Sequence, residues 1–164
     1  MKQAEEAASE RPASPVRVAR PKGQPRRRLR EGALLYLAVA LGSSLGGVAR
    51  AVASLAALAW LGPGFPWGTL AVNVLGSFVI GFYATLTGPG GRIMAGTHLR
   101  QFVMTGFCGG FTTFSIFSLE TLGLAREGRP ALAAFYVGVS VVTWLAAAWL
   151  GHMIAARINR LGGI

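Results

Sequence analysis

Four long apolar segments dominate the chain, separated by short stretches rich in glycine and proline. The apolar segments cover roughly residues 33–59, 67–87, 99–124 and 131–156. Each is long enough to cross the hydrocarbon core of a bilayer, which takes about 20 apolar residues. The separators lie at residues 62–66, 88–92 and 126–130 and have typical turn composition. Because backbone groups inside a bilayer must be hydrogen-bonded internally, the pattern predicts an all-α integral membrane protein with four transmembrane helices.

Residues 1–31 differ from the rest of the chain in composition. They hold nine of the sixteen Lys and Arg residues and show no apolar periodicity, which predicts a disordered basic tail ahead of a transmembrane domain at 32–164. A net charge of +10 also occurs in nucleic-acid-binding proteins. Here the basic run adjoins an apolar span, which favours attraction to anionic lipid and a cytoplasmic N-terminus. We therefore expect the lipid bilayer, and no nucleic acid, as a partner.

The composition argues against an enzyme. Charged residues make up 13% of the chain, against about 25% in soluble domains. Cys108 is the only cysteine, and the sequence places neither His98 nor His152 near a carboxylate pair or a cysteine. Neither a metal triad nor a nucleophile–base pair is evident, so we predict no catalytic activity.

Polar residues recur at helical spacing in two of the apolar segments. They are Thr69, Asn73 and Ser77 in the second segment, and Tyr136, Ser140 and Thr143 in the fourth. The spacing places each set on one helix face, which suggests two polar tracks along a narrow wet path. The alternative is helix–helix packing, because Ser and Thr hydroxyls often bond to carbonyls of their own helix.

The third segment contains weak helix formers near its middle. Adjacent glycines followed by two threonines predict a break in the helix at Gly109–Thr113. A break frees backbone carbonyls within the membrane, where a small cation is a natural partner. Phe114 and Phe117 follow at a spacing that places them on one face. Aromatic edges carry partial positive charge and could stabilise an anion, although lipid contact is the simpler reading of two phenylalanines.

Two motifs resemble the CrcB/Fluc fluoride channel family. They are Gly-Thr-Leu-Ala-Val-Asn-Val-Leu-Gly-Ser-Phe at residues 68–78 and Gly-Phe-Cys-Gly-Gly-Phe-Thr-Thr-Phe-Ser at residues 106–115. Gly-Val-Ala-Arg at residues 47–50 is similar to a further family motif. The resemblance covers roughly residues 35–160 and implies an inverted, antiparallel dimer with two pores.

The resemblance also implies roles for individual residues. Carbonyls of Gly109 and Thr112 would hold a sodium ion at the dimer centre, which is structural and not transported. The amide of Asn73 and the ring edges of Phe114 and Phe117 would meet the fluoride ion. The other residues assigned to the pore by their match to the polar tracks are Ser77, Thr113, Tyr136 and Ser140. Arg50 would draw anions into a vestibule or extend to the headgroups, and Glu120 receives only a structural role.

The function that the resemblance implies is passive export of fluoride across the cell inner membrane, which lowers fluoride toxicity. A homodimer is expected. Because the basic tail biases orientation, a heterodimer with an oppositely oriented paralogue is the alternative. A small multidrug-type transporter is the competing function. Proton-coupled export needs a carboxylate deep in the membrane, whereas the first span has no acid and Glu120 lies late in the third.

Overall fold

The computed structural model describes residues 25–161, which form helices joined by short loops. Helix α1 is Pro25–Leu61 and α2 is Trp67–Leu86. The third span consists of two helices, α3 and α4. Helix α3 runs from Thr97 to Phe111 and includes a π-helical stretch at Phe102–Cys108, and α4 is Phe114–Arg126. Helix α5 is Pro130–Leu161. All four spans are long and apolar enough to cross a membrane, which confirms the predicted number of transmembrane helices.

Helix α1 begins at Pro25 rather than near residue 33, so residues 25–31 are helical and were wrongly assigned to a disordered tail. Arginine is a good helix former, and Arg27 Nε lies 3.0 Å from Glu31 Oε1, one turn further on. At 37 residues the helix is about 55 Å long, well beyond an apolar core of about 30 Å. Its basic first turns therefore extend past the bilayer core. Residues 1–24 of the predicted tail lie outside the described residues.

The turn between α4 and α5 follows from its sequence. Gly128 has a φ of 76°, a left-handed conformation that glycine adopts readily after a helix end. Pro130 then occupies the first position of α5, where its missing N–H costs nothing. The two helices consequently reverse direction within three residues and pack against each other.

Glycines allow two helix pairs to approach backbone to backbone. Helix α1 packs on α3, and a Cβ atom added at Gly46 would lie 2.8 Å from the backbone nitrogen of Phe111. A Cβ added at Gly110 would lie 2.8 Å from the Cα of Ser43. Helix α2 packs on α5 in the same way, with Gly151 against the backbone of Phe82. Such contacts are typical of membrane helices, where small residues permit close packing.

Most large apolar side chains point away from the protomer. A small core forms where α4 meets α5, around Phe117, Leu124, Ala133 and Tyr136. By contrast, α1 exposes a long row of apolar residues: Leu37, Leu41, Leu45, Val48, Val52 and Leu55. An exposed apolar surface of this length suits contact with acyl chains or with another membrane-embedded subunit.

Candidate functional site

The third span is interrupted at its middle by two residues in extended conformation. Thr112 has φ −85° and ψ 161°, and Thr113 has φ −154° and ψ 126°. The Thr113 hydroxyl then accepts a hydrogen bond of 3.2 Å from the Ile116 backbone N–H, which caps the start of α4. The interruption therefore has an ordered geometry, in which one threonine ends α3 and the other begins α4.

Asn73 on α2 holds the interruption in place. Its Nδ2 donates to the Thr113 carbonyl at 2.9 Å, and its Oδ1 accepts from the Thr113 backbone N–H at 2.8 Å. Asn73 is only 4% exposed, so the two bonds satisfy peptide groups that would be costly to leave unpaired. An Asn amide has two N–H donors. One is used by Thr113, which leaves the other for a ligand.

The geometry at Gly109 fits the oxygen ligands that a sodium ion would need. In a continuous helix, the Thr113 N–H would donate to the Gly109 carbonyl, but here it donates to Asn73. Gly109 is exposed, and a Cβ added there would meet nothing within 4 Å. Thr112 is extended, so its carbonyl has left the helical ladder too. Both carbonyls could therefore supply oxygen to a cation at the protomer surface.

Arg50 contacts the same region from α1. Its Nε donates to the Gly110 carbonyl at 3.1 Å, and the residue is half-buried. The contact supplies a donor to a carbonyl in the last turn of α3, where helical partners run out. The structure thus places Arg50 against the interruption, and its predicted vestibule role remains a prediction.

The two phenylalanines occupy different environments. Phe114 is 70% exposed, whereas Phe117 is 6% exposed. Their ring centroids lie 5.5 Å apart. The ring of Phe117 packs between Tyr136, at 5.1 Å, and Trp144, at 4.9 Å, and its contact with Trp144 is edge-to-face. Phe114 is therefore exposed on the surface of the chain, while Phe117 packs beside it in the core.

A carboxylate joins the polar residues of α2 and α5. Glu120 accepts hydrogen bonds from the Thr69 hydroxyl at 2.9 Å and from the Tyr136 hydroxyl at 2.8 Å. Thr69 and Tyr136 are buried, and so is Ser140 one turn beyond Tyr136. Thr143 instead bonds to the Val139 carbonyl of its own helix at 2.7 Å, as the packing alternative predicts. The resemblance gives Glu120 only a structural role, and the spacing of polar residues does not connect it to Thr69 or Tyr136.

A cavity of about 300 Å³ beside the interruption collects most of the predicted site residues. The predicted residues in its lining are Asn73, Ser77, Gly109, Thr112, Thr113 and Phe114. Phe117, Tyr136 and Ser140 lie behind them in the protomer. Trp144, which spacing did not single out, also lines the cavity. Its indole N–H is buried without a hydrogen-bond partner among residues 25–161 and is a further donor.

The side-chain donors around the cavity suit a small anion. Around the cavity stand an Asn amide, hydroxyls, an indole N–H and an aromatic ring. These groups are neutral, so they can replace part of an anion's hydration shell without binding it as tightly as a buried cation would. Fold and site together define a multi-pass α-helical membrane protein with a cavity, partly lined by polar side chains, beside an interrupted span.

Comparison with known proteins identifies the family. Residues 37–152 match the family described as CrcB-like protein, Camphor Resistance (CrcB). Over 135 residues the chain is 57% identical to Fluoride-specific ion channel FluC 1 of Rhodopseudomonas palustris (strain BisB18), covering 82% of this chain and 96% of the relative. It is 54% identical over 129 residues to Fluoride-specific ion channel FluC of Opitutus terrae, covering 79% of this chain and 98% of the relative.

A relative from Bradyrhizobium diazoefficiens, also named Fluoride-specific ion channel FluC 1, is 57% identical over 129 residues, with 79% of this chain and 89% of the relative covered. The family match at residues 37–152 includes most of each of the four membrane spans. The chain therefore belongs to the CrcB-like family.

Proposed function

We propose that this chain is a fluoride-specific ion channel that passively exports fluoride from the cytoplasm. Relatives that carry this name are 54% to 57% identical to the chain over nearly their whole length. The observation in the structure that carries the proposal is the cavity at the interruption. There the second N–H of Asn73 and the ring of Phe114 are available to one small ligand, and Trp144, whose buried indole N–H has no partner among residues 25–161, forms part of the wall.

Fluoride has a high cost of dehydration, so its pore must offer many donors in a small space. Neutral donors meet that need without trapping the ion. Fluoride that enters an acidified cell as the neutral acid dissociates inside. The membrane potential then drives the anion outward with about 2.3 kcal/mol per charge per 100 mV. A passive channel is sufficient for export under these conditions.

The proposed assembly is an inverted dimer with two pores and a structural sodium ion at its centre. Two features of the protomer support it. Gly109 and Phe114 both face outward, so the carbonyl of one and the ring of the other are open to a second copy. The Gly109 and Thr112 carbonyls would hold the sodium ion, which would supply positive charge at the interrupted span. The protein's own contribution is to hold those carbonyls free of helical bonds, through Asn73.

The proposed location is the cell inner membrane. The basic first turns of α1 favour an orientation with the N-terminus in the cytoplasm. A homodimer requires that the chain also inserts in the opposite orientation, whereas a heterodimer would use an oppositely oriented paralogue. Labelling of tags at both termini from each side of the membrane separates the two assemblies, since equal labelling from both sides requires dual insertion.

Fluoride efflux from liposomes tests the proposed function. Purified full-length chain is reconstituted with internal potassium fluoride, and efflux is followed with a fluoride electrode after valinomycin addition. We expect rapid fluoride release, and no chloride release from matched chloride-loaded vesicles. Preparation with a larger cation in place of sodium should reduce the rate. Equal rates for fluoride and chloride, or no fluoride release from the sodium preparation, would overturn the proposal.

A further inference from the structure

A second polar cavity lies at the end of the molecule where α2 leads into α3. Its volume is about 270 Å³. The side chains that matter in its lining are Thr87, Thr97, Arg100, Gln101, Met104 and Thr105. None of the predicted pore residues lines this cavity in the described part of the chain. Its composition differs from the apolar surface around it, since hydroxyl, amide and guanidinium groups converge there.

Arg100 is the unusual member of this cavity. Its Nε is buried and has no hydrogen-bond partner within residues 25–161. The part of the cavity wall that the structure describes contains no carboxylate that could pair with the guanidinium. A buried donor without a partner is costly, and the cost is greater for a charged group. The guanidinium therefore presents positive charge and free donors to whatever enters.

The neighbouring polar groups leave further donors available. The Thr105 hydroxyl donates to Gln101 Oε1, so the side-chain oxygen of Gln101 is already occupied. The Gln101 amide group retains two N–H donors. The Thr87 hydroxyl donates to the Tyr83 carbonyl at 2.7 Å and keeps its acceptor positions only. Donors thus outnumber free acceptors around Arg100, which favours an anion over a cation.

This cavity adjoins the cavity beside the interruption of the third span. Met104 lines both this cavity and the one that contains Asn73 and Phe114. The two cavities therefore share one wall residue, and Met side chains adapt readily to irregular gaps. An anion held at Arg100 would lie in the cavity next to the one at the interruption of the third span.

We propose that Arg100 forms a binding site for a small inorganic anion at the mouth of the ion path, on the side of the loop at residues 87–96. The proposal rests on the proposed channel function and extends it. Arg100 attracts the anion electrostatically and passes it over Met104 to the neutral donors. Its half-buried position distinguishes it from Arg157, which is exposed near the end of α5.

A binding measurement that does not depend on transport gives the first test. Wild-type protein is treated with phenylglyoxal, which modifies arginine, in sodium fluoride or in sodium isethionate at equal ionic strength. Modification is quantified for individual peptides by mass spectrometry. We expect fluoride to slow modification of Arg100 and to leave Arg157 unaffected. Equal rates at Arg100 in the two salts, or equal protection of Arg157, would overturn the site.

Transport of variants gives the second test. Arg100→Gln should slow fluoride efflux at low ionic strength by about tenfold, the lower end of the effects produced by electrostatic steering. Arg100→Lys should retain most of the rate, and Arg157→Gln, which removes the same charge from the same end, should match wild type. Slow fluoride efflux through Arg100→Lys, or a wild-type efflux rate for Arg100→Gln, would contradict the proposal.

The variant Arg100→Cys distinguishes loss of the positive charge from a folding defect. Attachment of a cationic aminoethyl group to the folded protein should restore efflux, whereas a sulfonatoethyl group should not, and equal effects of the two reagents would count against the site. If wild type shows fluoride protection at Arg100 but no efflux, the proposed channel function fails while the anion site stands.

Discussion

The two halves of the third span are built for different tasks. Helix α3 packs against α1 backbone to backbone at Gly106 and Gly110. The contact is so close that neither position has room for a Cβ atom. Helix α4 contacts α5 through large side chains such as Phe117 and Leu124, and it exposes Phe114. The first half anchors the span, and the second half presents chemical groups. The interruption at Thr112 and Thr113 lets one transmembrane segment do both.

The largest expected loss of stability comes from a bulky side chain placed in the close contact between α1 and α3. In Gly46→Leu, a side chain would have to occupy a position where even a Cβ lies 2.8 Å from the Phe111 backbone nitrogen. Backbone cannot yield as a side chain does, so we expect loss of folded protein, seen as aggregation in size-exclusion chromatography after detergent extraction. The neighbouring variant Gly47→Leu is the control, because a Cβ there meets nothing within 4 Å. Similar chromatograms for the two variants would refute the anchoring role.

The next largest loss of stability is expected when the junction between α3 and α4 loses its hydrogen bonds to α2. Asn73→Ala removes both partners of the Thr113 peptide groups. Since each unsatisfied buried group costs about 1 to 3 kcal/mol, we expect a loss of about 2 to 6 kcal/mol in unfolding free energy, together with loss of efflux. Leu75→Ala, at an exposed site on the same helix, controls for truncation. An Asn73→Ala protein as stable as Leu75→Ala would show that the amide does not hold the interruption.

A smaller loss of stability is expected when a hydrogen bond to Glu120, in the middle of α4, is removed. Tyr136→Phe removes one of the two hydroxyl donors to Glu120 and leaves the ring packing intact. A hydrogen bond to a charged group contributes about 1.5 to 3 kcal/mol, and the lower value is expected because Thr69 remains. Thermal unfolding in detergent measures the change. Tyr36→Phe, at a residue that is 79% exposed, should leave the midpoint unchanged. Equal midpoints for both variants would show that the hydrogen bond from Tyr136 to Glu120 does not stabilise the fold.

Much of this arrangement follows from the sequence because membrane constraints are strict. Segment length and turn composition determine the four spans, and helical spacing places Thr69 and Asn73 on one face. Adjacent glycines before Thr112 and Thr113 mark weak helix, where the structure has extended backbone. These inferences needed only local propensity and the requirement that buried backbone groups be paired.

The remaining features depend on which helices become neighbours. Spacing along α2 could not show that Asn73 would bond to Thr113, forty residues away. Neither Trp144 nor Arg100 stands out in the sequence, and only the packed structure shows that a donor of each is buried without a partner among residues 25–161. Residues 25–31 are helical despite a charge density typical of disorder, because pairs such as Arg27 and Glu31 stabilise helix.

Under the proposed function, α4 presents the ring of Phe114 to the ion without contributing that ring to the fold. Fluoride efflux through Phe114→Ile, compared with Phe135→Ile at a similarly exposed site on α5, tests it most directly. We predict equal unfolding temperatures for the two variants, wild-type efflux for Phe135→Ile, and efflux for Phe114→Ile lower by at least about tenfold, which corresponds to about 1.4 kcal/mol. Wild-type efflux in Phe114→Ile would contradict the account.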